Sequence, residues 1–282
     1  MQRLKQILLD EDKNGSDFRT GIICLSVLSL IHFLLGFYLG KQAFLMMSLL
    51  LWASILMLLW DRRQHFKINQ DKVSSFLGYV LVAAVLVISI IRPGEKMLGF
   101  FPLAAYLGWF LIFIGAAQAK LYFKEFCILA IFGIPKLVPD TAFGLAPITA
   151  KFAVYALWYL GYPVSSNGSY IQVPNGGVEV VPACSGINLI LHMLSISVIF
   201  LCVFPTRRSH CIPFALLAML LGFVMNGVRV AVLAVLSPPQ FSAQFHYWHS
   251  ASGASLFVLL TLVIYGVLYF SLLKSTHQPE PQ

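Results

Sequence analysis

The sequence predicts an all-α protein, a polytopic transmembrane helical bundle of about eight spans with a short β-hairpin-like outer loop. Three observations carry this reading. Hydrophobic residues make up 59% of the 282 residues and charged residues only 11%, against roughly 25% charged in soluble domains. Such a chain cannot cover its own surface with polar groups. Apolar runs of membrane-spanning length recur along the chain, and the basic residues gather in short clusters between them. The formal charge of +8 therefore reads as topology determinants beside anionic lipid, not as a nucleic-acid surface. Membrane lipid is an expected partner and nucleic acid is not.

A helix crossing ~30 Å of hydrocarbon needs about 20 apolar residues. Residues 1–19 form a mixed-charge leader, and the apolar run after them is too long for a signal core, so it reads as a retained first span. The expected spans are 20–39, 43–60, 73–91, 100–117, 141–162, 185–204, 213–236 and 250–273. A further piece, 126–138, is short and broken by Gly133, Pro135 and Pro139. It is expected to be interfacial or re-entrant, because lipid cannot satisfy open backbone. The whole chain, 1–282, reads as one integral membrane domain whose motif-bearing half is 141–273.

Charge orients these spans. With both termini cytoplasmic, the inner side receives thirteen basic residues: Arg3, Lys5, Lys13 and Arg19; Arg62, Arg63, Lys67 and Lys72; Lys120 and Lys124; Arg207 and Arg208; and Lys274. The outer side receives three, Lys41, Arg92 and Lys96. This matches the positive-inside bias. It places the loop 162–183 outside, where 171–173 and 178–181 flank Pro174-Asn-Gly-Gly177, a hairpin signal.

Reactive side chains in or beside spans are functional candidates. Cys184 opens the span 185–204 in Pro182-Ala-Cys-Ser-Gly-Ile187. A place in the first helical turn would aim the helix dipole at its thiol and favour thiolate; the plainer reading is a small buried hydrophobe. Cys24, Cys127, Cys202 and Cys211 complete the cysteines, with no CxxC spacing. Arg229 lies seven residues inside the next span, about 10 Å at 1.5 Å per residue, and Asn226 shares its helix face. A structural role, pairing with a carbonyl or snorkelling outward, is the competing reading; Glu179 is the nearest acidic candidate. His249 stands at the outer boundary beside Tyr247 and Trp248, either as an interfacial polar residue or as a general base. His246 and His249 form an HxxH without a third ligand, so no metal or other cofactor is expected. Lys151, mid-span, and Glu179 join Asn226 as substrate-binding candidates. The Pro279-Glu-Pro281 tail has no helix after it and reads as coincidence.

Cysteine plus base is a nucleophilic constellation, and a cation can stabilise an oxyanion. The blocks Pro182-Ala-Cys-Ser-Gly-Ile187, Asn226-Gly-Val-Arg229 and His249-Ser-Ala-Ser-Gly253 resemble, in order, the three signatures of the exosortase/archaeosortase family. The context from Tyr247 to Phe257 looks closest to cyanobacterial exosortases. The resemblance rests on roughly the last hundred residues. It implies a bacterial plasma-membrane cysteine peptidase or transpeptidase, with its site on the non-cytoplasmic side. Its implied substrates are exported proteins ending in a Pro-Glu-Pro-like motif, a transmembrane helix and a basic tail. By motif, Cys184 is the nucleophile, Arg229 the oxyanion or substrate-orienting group, and His249 the acid/base. A rival reading is a transporter that binds an anionic solute through Arg229 and Lys151.

Overall fold

Within apolar runs the backbone polar groups have no water to bond, so they bond one another and the runs become helices. The computed structural model describes residues 2–40 and 42–276, and shows ten α-helices and one small sheet. The Pro279-Glu-Pro281 tail lies outside the described residues. Among the described residues, six helices are long and apolar enough to cross a membrane. Their exposed faces are greasy: on the first helix Ile23, Val27, Leu30, Leu34 and Phe37 recur at helical spacing and stand open. Leu25, Leu28 and His32 are buried on the other side of that helix. A stripe of this kind is tolerable only against lipid, and the protein is an integral membrane protein.

All eight expected spans contain helix. Two expected spans fall outside the six: in one the described apolar stretch is Leu45–Asp61, and the other, Ala146–Tyr159, has only 14 residues. The expected span 141–162 contracts to 14 helical residues. A separate 3-10 turn, Asp140–Phe143, ends at Gly144 in the left-handed region (φ 59°), and the helix restarts only around Pro147. The piece expected to be re-entrant is an 11-residue helix followed by a 3-10 turn through Pro135.

The chain divides into two units, Met1–Leu137 and Val138–Gln282. In the first, α1 (Gln2–Tyr38) continues through the leader without a break, followed by α2 (Gln42–Asp61), α3 (Lys72–Ile91), α4 (Glu95–Phe113) and α5 (Phe123–Gly133). Asp71 caps α3 by accepting from the N–H groups of Val73 and Ser74. The backbones of α3 and α4 meet where both lack side chains: a Cβ on Gly78 would lie 2.7 Å from the Gly108 carbonyl oxygen. Arg62, just past α2, pairs with the buried carboxylate of Glu125 at 3.1 Å. Burial nonetheless pushes the Glu125 carboxyl above its ordinary range, against the pull of Arg62.

The second unit holds α6 (Ala146–Tyr159), a sheet, α7 (Ile187–Val203), α8 (Arg208–Val235), α9 (Ser242–His249) and α10 (Ala251–Thr276). The sheet is an antiparallel meander of β1 (Ser165–Asn167), β2 (Tyr170–Val173) and β3 (Gly176–Glu179). The expected hairpin is present, with Val173 opposite Gly176 across Pro174 and Asn175. Asn175 takes φ 60°, which asparagine tolerates. The additional strand, β1, is polar and exposed throughout, so it lacks the alternation that marks a strand. Ile171 and Val173 point into a core with Ala150, Ala153 and Leu157 of α6 and Val230, Ala231 and Ala234 of α8. The sheet thus roofs the α6–α8 pair and delivers the chain to Cys184.

Candidate active site

After β3 the chain makes a single 3-10 turn, Pro182–Cys184, closed by Cys184 N–H donating to the Val181 carbonyl at 2.8 Å. Cys184 therefore does not occupy the first turn of the long helix. Gly186 is the N-cap and α7 begins at Ile187. The physical reason is Gly186 itself, whose φ of 94° breaks the helical path between thiol and helix. This corrects the sequence expectation that the α7 dipole acts on a thiol within its own first turn.

Two buried side chains hold this turn from neighbouring helices. Asn226 of α8 donates through Nδ2 to the Cys184 carbonyl at 3.0 Å. Thr149 of α6, fully buried, donates through Oγ1 to the Ser185 carbonyl at 2.7 Å. Gly186 is a close-approach glycine, because an added Cβ would come within 2.7 Å of Asn226 Nδ2. Gly227 plays the same part between α8 and α6, where a Cβ would strike the Phe152 ring at 2.2 Å.

Arg229 sits one turn along α8 from Asn226. Its guanidinium donates through Nη2 to the carbonyl oxygen of His249 at 3.3 Å. It is also close enough to Cys184 for the two to interact electrostatically. The His249 carbonyl belongs to the last residue of α9, where carbonyls lack intrahelical partners and a cation is favoured. The third block completes the corner. Ser250 Oγ donates to the Tyr247 carbonyl at 2.6 Å, and Gly253 lets α10 meet α9, since a Cβ there would lie 2.6 Å from Trp248 Cα. The His249 ring stacks on Phe245, with centroids 5.5 Å apart and planes within 9°. Arg229 thus bonds the main chain of His249 and interacts electrostatically with Cys184, while the His249 ring packs on Phe245.

The flanking candidates lie differently. Lys151 is exposed on α6, and a two-residue offset turns it about 200° from Thr149. Glu179 is exposed on β3. Among the described residues, no ion pair joins Glu179 to Arg229 or Lys151. Thr149, Ser185 and Gly186 were not anticipated as site residues; the available signal was a threonine inside an apolar helix and a serine next to the cysteine. Beside the sheet, a cleft of about 760 Å³ is lined by Trp158, Tyr162, Ser165, Gln172 and Asn175, among others. Of the other thiols, Cys127 is held above its ordinary range by burial, which suppresses its thiolate.

The fold defines a polytopic membrane protein with a small polar cluster around the loop that follows β3. The chain matches the family model described as transmembrane exosortase over residues 21–266. It belongs to the transmembrane exosortase family, and the match reaches from α1 to α10, well beyond the three blocks. No curated protein and no solved structure gives a significant match. Family membership makes sorting-signal processing its general activity and proteins that carry sorting signals its general substrates.

Proposed function

We propose that this protein is a membrane cysteine peptidase or transpeptidase that cleaves C-terminal sorting signals of exported proteins through a thioester on Cys184. The observation that carries the reading is the Arg229 guanidinium, hydrogen-bonded to the end of α9 at His249 and within electrostatic reach of Cys184. The substrate's membrane helix packs beside the bundle. The extended stretch before it, carrying the Pro-Glu-Pro-like motif, lies along the cleft under Trp158 and Tyr162. The Cys184 thiolate attacks the scissile carbonyl, Arg229 stabilises developing negative charge, and His249 carries the thiol proton to the leaving amine. In this reading Asn226 acts through the Cys184 carbonyl it holds, and exposed Lys151 and Glu179 meet parts of the substrate away from the scissile bond. Water or an amine then takes the acyl group. The basic clusters support both termini in the cytoplasm of a bacterial plasma membrane, with the site on the opposite face.

The test is a Cys184→Ala variant co-expressed with a reporter ending in such a tripartite signal. Processing is expected to disappear, and undiminished cleavage would reject the assignment. In intact cells a membrane-impermeant maleimide should label Cys184; labelling only after the membrane is permeabilised would overturn the orientation.

A further inference from the structure

The peptide bonds that follow Cys184 are held in one setting by side chains from two other helices. A trans peptide points its C=O and N–H in opposite directions. With the Ser185 carbonyl held by Thr149 Oγ1 at 2.7 Å, the Gly186 N–H must face away from α6. With the Gly186 carbonyl accepting from Ile190 N–H at 3.0 Å, the Ile187 N–H must face out of the α7 N-terminus. Neither N–H has a hydrogen-bond partner among the described residues. Ser185 (φ −66°, ψ −13°) and Gly186 (φ 94°, ψ −4°) form a right-handed, left-handed pair of backbone conformations. That pairing curls successive N–H groups into a concave nest for negative charge. Asn226 fixes the preceding carbonyl, that of Cys184, from the α8 side.

We propose that Thr149 and Asn226 are positioning residues: by holding the Ser185 and Cys184 carbonyls, they aim the Gly186 and Ile187 N–H groups at the oxyanion formed when Cys184 attacks. This rests on the reading of Cys184 as nucleophile. As the sulfur–carbon bond forms, the carbonyl π pair moves onto oxygen, and the nest receives it. Collapse restores the C=O bond, breaks the C–N bond and leaves a thioester, with the proton of the thiol carried away on the departing amine. Arg229, bound to the end of α9, adds its positive charge to the stabilisation of the same oxyanion. Thr149 differs from every residue of the three blocks in coming from α6, so it sets the nest from outside the motif-bearing loop.

Attack by the Cys184 sulfur on the methylene carbon of iodoacetamide expels iodide and builds no oxyanion, and this separates positioning from structure. Thr149→Val keeps the shape and removes the donor. Two rates are read for each variant: processing of the co-expressed reporter, and alkylation of Cys184 by iodoacetamide, followed on the Cys184 peptide by mass spectrometry. Losing one oxyanion donor costs about 10²–10³ in rate, so a donor released from its aim should lower processing by roughly tenfold or more. Alkylation should stay within about twofold of wild type if the thiol is untouched. Thr149→Ser should restore processing. Wild-type processing by Thr149→Val beside a dead Cys184→Ala would overturn the positioning role and leave the nucleophile standing. An active Cys184→Ala would remove the nucleophile reading itself. If Thr149→Val lowers alkylation and processing together, or if Thr149→Ser fails to restore processing, the hydroxyl is structural and the proposal is wrong.

Discussion

Gly186→Ala tests whether the turn after Cys184 is built as tightly as its geometry implies. Two separable penalties are expected. A φ of 94° places an alanine in left-handed territory, at roughly 1–2 kcal/mol. The new Cβ would also lie 2.7, 2.9 and 3.0 Å from Nδ2, Cγ and Cβ of Asn226. Asn226 is buried, so relief requires swinging its amide off the Cys184 carbonyl, which forfeits a bond worth about 0.5–1.5 kcal/mol. Together these give about 1.5–3.5 kcal/mol of lost stability. The hydrogen-bond part vanishes when Asn226 is already alanine, although the 3.0 Å contact with its Cβ stays. Gly186→Ala should therefore cost only about 1–2 kcal/mol in an Asn226→Ala background, a coupling near 1 kcal/mol. Unfolding of the purified protein by SDS in mixed micelles, followed by circular dichroism, supplies all four corners of the cycle. A Gly186→Ala protein as stable as wild type, or a penalty unchanged by removal of the asparagine amide, would refute the reasoning.

The remaining outcomes concern Gly78 and Glu125 in the first unit, with Gly266 in the second as a control. Gly78→Ala should destabilise by roughly 1–3 kcal/mol, because its Cβ meets the Gly108 carbonyl, and backbone cannot swing aside. Gly266→Ala on α10 meets nothing within 4 Å and should show no loss in the same SDS titration. For Glu125, whose carboxyl is raised by burial ahead of the lowering pull of Arg62, the neutral form is favoured in the fold, so folding takes up a proton. That contribution is complete below the unfolded value near 4.5 and is lost as pH rises through the raised folded value. Glu125→Gln should therefore flatten stability against pH over that window. An equal slope in wild type and variant would assign the dependence elsewhere.

Much of this architecture was legible because the forces that set it are written in composition. Apolar length gave the helix positions, and the Pro-Asn-Gly-Gly turn gave the β2–β3 hairpin. What failed has local causes. The 141–162 segment looked continuous by hydropathy, yet Gly144 and Pro147 break it, so the helix retains 14 residues. Strand β1 carries Ser165, Ser166 and Asn167, with no apolar alternation to betray it. Cys184 was expected inside a helical turn because the apolar run begins there, whereas a single positive φ at Gly186 excludes it.

The site was legible as a list of reactive groups and illegible as a set of contacts, for one physical reason. The side chains that join the three blocks bind main-chain oxygens: Asn226 that of Cys184, Thr149 that of Ser185, and Arg229 that of His249. Every residue carries a carbonyl, so sequence offers no partner to search for, and a search for a carboxylate led to Glu179, which no ion pair joins to Arg229. The same fact bears on chemistry. A buried carboxylate beside Arg229 would neutralise it, whereas a helix-end carbonyl orients the guanidinium and leaves its full positive charge available. A cation fixed in this way is held ready to meet negative charge developing beside it. The rival reading of an anion transporter needs Arg229 and Lys151 to face one solute. In the structure Lys151 is exposed and turned about 200° from the Thr149 face of α6 that meets the Cys184 loop.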